Sequence, residues 1–175
     1  KPFKNNKALV IGAGAIGLLC GLILSKIKNF KNIVIVDPNN KRLTESLKYL
    51  DADGFEPNSK NILSNNFDIV FDTVGLETTR IQSIKCIKSG GVIIHIGLTQ
   101  PSGSFDFRKA TLQEITFIGT YCYTNKDFKK TLNILNNKEI GSLNWIEFRK
   151  LKEGPSAFKD IHNGSCISPK IVLLV

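Results

Sequence analysis

The 175-residue sequence has no methionine, only two histidines, and no apolar run approaching the ~18 residues that a membrane-crossing helix requires. The last absence argues against a membrane partner. The missing methionine and the start at Lys1 read as a piece of a longer chain. The four cysteines, Cys20, Cys86, Cys122 and Cys166, form no C-x-x-C pair, which excludes a zinc knuckle or a redox dithiol and predicts reduced thiols in a cytoplasmic protein. The basic opening, Lys1 to Lys7, leads directly into a strand-like segment with no small-residue cleavage site, unlike a signal peptide. Acidic residues are outnumbered 15 to 24, giving a net charge of +9, but the excess lysines are scattered along the chain beside asparagine and isoleucine. With no basic block and no recognisable reading module, a nucleic-acid partner is not expected.

What is present is a composition with 42% hydrophobic and 22% charged residues, enough for one core of ordinary domain size. Short β-branched runs alternate with segments of helical period, which predicts an α/β fold: a doubly wound parallel sheet of the Rossmann type. Strands are expected at Lys7 to Ile11, Asn32 to Val36, Phe67 to Phe71, Val92 to Ile96 and Ile115 to Thr120, with a short one near Glu56. Helices are expected at Ala15 to Lys28, Lys41 to Leu50, Thr78 to Ile87 and Lys126 to Asn136. Gly90-Gly91 reads as the close of a helix. Residues 1–142 form the dinucleotide-binding unit on this reading, and 143–175 a return segment of strand, helix and strand.

Gly12-Ala13-Gly14-Ala15-Ile16-Gly17 is G-x-G-x-x-G placed between a predicted strand and a predicted helix, the context in which that spacing has meaning. Gly12 permits the tight turn, Gly14 lets a pyrophosphate approach the backbone, and Gly17 lets strand and helix pack closely. Asp37 closes the second strand twenty positions after Gly17, where a carboxylate hydrogen-bonds the adenosine ribose and repels a 2′-phosphate. The pair predicts NAD rather than NADP. Lys41 and Arg42 offer nearby cations, and Asp37 could alternatively cap the following helix.

With these residues in place, the chain resembles the cofactor-binding portion of the medium-chain dehydrogenase/reductases, the family of zinc-dependent alcohol and polyol dehydrogenases. The resemblance extends through Asp68 to Gly75, Gly90 to Leu98, Glu114 to Thr120, Ala157-Phe158 and Lys170 to Leu173. It implies that Ala15 and Ile16 offer amides to the pyrophosphate and that Asp37 and Arg42 frame the adenosine ribose. It further implies that Thr73, Val74 and Gly75 flank a ribose, and that the main chain of Ile96, Gly97 and Leu98, with Thr120 and Cys122, holds the nicotinamide carboxamide. The family's zinc ligands lie on a domain upstream of the phosphate loop, and only eleven residues precede Gly12 here, so zinc is expected only on that missing domain. Cys20, Cys86 and His95 are then core or sheet residues, and Trp145 anchors the tail. Relatives pair as homodimers through an edge strand, and Ser104-Phe105-Asp106-Phe107 alternates in that manner.

Other readings remain open at this stage. A nucleotide-sensing regulatory module uses the same turn and acid without catalysis, and a methyltransferase uses a similar loop. A short-chain dehydrogenase lacks support, since none of Tyr49, Tyr121 or Tyr123 has a lysine four residues on.

Overall fold

The computed structural model describes residues 7–63 and 67–175. Strands β1 (Lys7–Ile11), β2 (Asn32–Val36), β3 (Asp53–Phe55), β4 (Phe67–Asp72), β5 (Ile87–His95) and β6 (Thr116–Gly119) form one sheet in the order β3-β2-β1-β4-β5-β6, every neighbouring pair parallel. Their runs are apolar because helices cover both faces: Ala8 to Ile11 are no more than 2% exposed. Alternation along the strands sends Ala8, Val10, Ile33 and Ile35 into one core and Leu9, Ile11, Val34 and Val36 into the other.

The first core takes Leu18 and Leu22 from α1 (Ala15–Leu22), which continues as a π-helical turn over Ile23–Ile27 before Asn29 turns left-handed. Beyond it come α2 (Asn40–Leu47) and a single turn, α3 (Lys60–Leu63). The second core takes Ile84 and Cys86 from α4 (Glu77–Cys86) and is flanked by Ala110 of α5 (Phe107–Leu112). The last helix of this unit, α6 (Asn125–Asn136), starts with a capping box between Thr124 and Asp127 and contributes Ile134 and Leu135 to the rim of the first core.

Three local expectations require correction. Gly90-Gly91 does not close a helix: α4 ends at Cys86, Ile87 is already extended, and the glycines lie inside β5. Between Phe67 and Ile69 of β4 the partner strand advances from Ile87 to Val92, a bulge that Gly90 allows at φ +71 and that the Gly90 amide fastens to the Gln113 carbonyl. Ser104 to Asp106 form no strand, and Phe107 opens α5, capped by Asp106, so among the described residues the sheet ends at β6 on this side, as it ends at β3 on the other. The short third strand falls at Asp53–Phe55, just ahead of the expected Glu56, because pairing with Val34 to Val36 of β2 sets its place, and a side chain at Gly54 would collide there with Leu47 of α2.

The return segment consists of β7 (Ile146–Lys150), α7 (Gly154–His162) and β8 (Lys170–Leu174), with β7 and β8 paired in parallel as a separate sheet. It is fastened to the larger unit by Trp145, 5% exposed within the first core, and by hydrogen bonds from Asn39 Nδ2 to the Gly164 carbonyl (2.9 Å) and from Tyr49 Oη to the Asn144 carbonyl (3.3 Å). Replacing Trp145 with alanine should cost about 3–5 kcal/mol, and the whole melting transition should move as one. A separate low-temperature transition, with the main one unmoved, would show that the segment is not part of that core.

Candidate functional site

The three glycines of the phosphate loop perform different tasks. Gly12 is left-handed at φ +102, and a Cβ there would stand 2.7 Å from Thr73 Oγ1 and 2.8 Å from Val74 Cγ2. Gly17 passes so close to the loop that its Cβ would lie 1.8 Å from the Gly12 carbonyl oxygen. Gly14, the residue capping α1, has nothing within 4 Å of where its Cβ would be. That empty space faces a helix start with no side-chain cap and no acidic residue in its first turn, where the amides beginning at Ala15 and Ile16 attract an anion. Ile16 is 49% exposed beside it.

Asp37 closes β2 where expected and is 4% exposed. Its Oδ2 accepts the Ala13 amide and its Oδ1 the Asn39 amide, both at 2.8 Å, so it braces the phosphate loop against the end of β2. The cap of α2 is Asn39, whose side chain accepts the Arg42 amide at 3.1 Å. A ribose hydroxyl would share the remaining lone pairs of Asp37. Arg42 is half-buried on α2, with its charge close enough to Cys166 to act on that thiol.

A crevice of about 500 Å³ runs between Ile11, Gly12 and Pro38 on one wall and Val74, Thr78 and Gln82 on the other. It opens at the carboxyl ends of β1, β2 and β4, where the strand order reverses, the place at which doubly wound sheets bind nucleotides. Thr73, Val74 and Gly75 lie directly after β4, and Ile96, Gly97 and Leu98 after β5. Gly75, at φ +76, and Gly97 bring these loops into backbone contact: a Cβ on Gly75 would be 2.0 Å from the Gly97 carbonyl oxygen. Thr120 joins the group by donating its amide to the His95 carbonyl at 2.9 Å, while Cys122, left-handed at φ +54, is exposed beyond it.

Sequence reasoning missed the residue that assembles these loops. Asp72, fully buried at the end of β4, accepts the Val74 and Gly75 amides at Oδ1 (3.1 and 2.9 Å) and meets Thr79 Oγ1 and His95 Nδ1 at Oδ2 (3.1 and 3.0 Å). Its carbonyl accepts the amides of Ile96 and Gly97. A carboxylate directly after the apolar run Ile69 to Phe71 was the available signal. A second cleft, of about 780 Å³, lies on the α5 side and is lined by His95, Leu98, Phe105 and Phe117, away from the phosphate loop.

Burial pushes the Cys20 and Cys86 thiols up to about 11, in keeping with core residues. Among the described residues, no group of three or more His, Cys, Asp or Glu side chains could hold a metal ion, and no helix is long and apolar enough to cross a membrane.

The model of the zinc-binding dehydrogenase family matches residues 15–137, and the chain belongs to that family. The probable D-xylulose reductase A of Emericella nidulans is 26% identical over 93% of this chain and 49% of its own length. The D-xylulose reductase of Saccharomyces cerevisiae is 25% identical over 88% of this chain and 47% of its own. The chain thus spans about half the length of the curated relatives it matches. The alcohol dehydrogenase TADH of Thermus sp. ATN1 shares the fold with a TM-score of 0.86 at 19% identity, over 98% of this chain and 51% of that one. An Escherichia coli CFT073 alcohol dehydrogenase solved with NADH shares it at 0.78 and 20% identity, over 92% and 50%. Nothing among these matches supports the regulatory-module alternative.

Gly14→Val should leave the melting temperature nearly unchanged, because its side chain enters open space, yet abolish dinucleotide binding by filling the anion cradle. Gly17→Ala should instead destabilise the fold, since something must move to relieve a 1.8 Å approach. Calorimetric titration with NADH beside a thermal melt separates the two; a Gly14→Val chain that binds normally would remove the phosphate from this loop.

Proposed function

We propose that this chain is the NAD(H)-binding portion of an NAD-dependent, zinc-type alcohol or polyol dehydrogenase. The observation that carries the reading is the vacant space at Gly14 over the uncapped start of α1, with Asp37 bonded to the same loop through the Ala13 amide. The site fits the cofactor: the amides of Ala15 and Ile16 receive the pyrophosphate, Asp37 and Arg42 frame the adenosine ribose, and Thr73 to Gly75 flank a ribose. The main chain of Ile96 to Leu98, with Thr120 and Cys122, receives the carboxamide. Bound NAD supplies the hydride acceptor, while the chain's residues orient it along the ends of β1, β4 and β5. The zinc that would polarise the substrate oxygen belongs, on this reading, to the half of such enzymes that the chain does not span. The D-xylulose reductases among its relatives favour a polyol substrate. We place the protein in the cytoplasm on the strength of its four free cysteines.

NADH should bind at least about tenfold tighter than NADPH, because a 2′-phosphate would approach the Asp37 carboxylate. Calorimetry of the 175-residue chain with both cofactors tests this; equal or tighter NADPH binding would mean that Lys41 or Arg42 governs the pocket. The same chain should bind NADH without producing it from any of a panel of alcohols and polyols.

We further propose a homodimer formed through β6. Among the described residues this strand pairs on one side only, and its Phe117 and Ile118 are 46% and 44% exposed, an arrangement that invites a second copy. Ile118→Asp should convert the dimer to a monomer in light scattering at high micromolar concentration. A wild-type monomer, or a dimer indifferent to the substitution, would refute the assembly.

A further inference from the structure

His95 lines the second cleft, beside Leu98, and not the crevice next to the phosphate loop, yet it grips the residue that shapes that crevice. Its Nδ1 lies 3.0 Å from Oδ2 of Asp72, with the histidine side chain 17% exposed and the aspartate side chain fully buried. The two are register partners at the last rung between β4 and β5, and His95 is also the last partner of β6, opposite Gly119. Its carbonyl takes the Thr120 amide. One residue therefore ties the carboxyl ends of three strands, the ring to β4 and the main chain to β6.

We propose that His95 is a positioning residue for the cofactor, acting through Asp72 on the loop of Val74 and Gly75. The contact sets the ring proton on Nδ1, where it is donated to Oδ2. The ring cannot turn freely, because it also packs against Phe117 at 5.6 Å between centroids. With Oδ2 held by His95 and Thr79, Oδ1 points at the Val74 and Gly75 amides and holds Gly75 in the left-handed turn that stacks it on Gly97. An aliphatic side chain at position 95 leaves Oδ2 with the Thr79 hydroxyl alone, and the carboxylate swings. The loop that this reading places against the ribose then loses its fixed geometry. The inference rests on the assignment of the crevice to NAD(H).

Three forms of the full 175-residue chain test it: wild type, His95→Leu and His95→Asn. The asparagine amide nitrogen takes the place of Nδ1 and can donate to Oδ2, whereas leucine has similar bulk and no donor. NADH affinity by calorimetry should fall about tenfold in His95→Leu and stay within about twofold of wild type in His95→Asn. Nitrogen-resolved NMR of the wild type should place the His95 proton on Nδ1. Undiminished affinity in His95→Leu, equal losses in both variants, or a ring protonated on Nε2 alone would overturn the proposal. Failure of the wild-type chain to bind NADH would overturn the cofactor reading and this inference with it, a result distinguished by appearing before any substitution is made.

Discussion

A carboxylate buried at the end of an apolar strand must be supplied with donors, and that requirement organises the functional edge of this protein. Asp72 meets it by drawing the chain back on itself. Val74 and Gly75 turn their amides to Oδ1, Ile96 and Gly97 turn theirs to the Asp72 carbonyl, and Thr79 and His95 meet Oδ2. Gly75 is left-handed because of that turn, and Gly97 must be glycine because the two loops are then in backbone contact. The opposite end of β4 has a counterpart in Asp68, also fully buried, which accepts the Lys7 amide at 2.8 Å and pairs with Lys88. β4 is therefore pinned at both ends by buried aspartates, one fastening it to the start of β1 and to β5, the other setting the loops above it.

The same economy governs the neighbouring crevice. Asp37 spends both oxygens on amides, one from the phosphate loop and one from the segment entering α2, and Ser46 Oγ donates to the Ala13 carbonyl at 3.0 Å from the other side. The loop is held rigid before any ligand arrives, which lowers the ordering cost of binding. Exposed apolar side chains gather elsewhere: Phe117 and Ile118 on β6, Tyr123, Phe128 and Leu132 at and along α6, and Phe148 and Leu174 on the β7–β8 sheet.

Much of this was legible in the residues. The boundaries of β1 and β2 follow from their unbroken apolar runs, Ala8 to Ile11 and Ile33 to Val36, and the phosphate loop from glycines whose spacing matches a strand-turn-helix. Asp37 was readable by position, though its burial and two amide bonds were not, since they depend on how closely Ala13 and Asn39 approach. Gly90-Gly91 misled because a left-handed glycine serves a helix end and a strand bulge equally well, and only the offset between β4 and β5 distinguishes them. Ser104 to Phe107 misled because alternation over four residues is too short a signal to outweigh Asp106 as a helix cap. Asp72 and His95, 23 positions apart, show no local pattern at all.

The sequence by itself determined the order of strands and helices, the parallel doubly wound class and the position of the anion cradle, because each of these is written in short-range periodicity and glycine spacing. Only the tertiary structure decided which residues share the edge where the strands end. It joined Asp72 to His95, stacked Gly75 on Gly97 and made β6 the edge strand next to β5. The physical reason is that adjacency between parallel strands is settled by the crossovers connecting them, and a buried carboxylate finds its donors in space rather than along the chain.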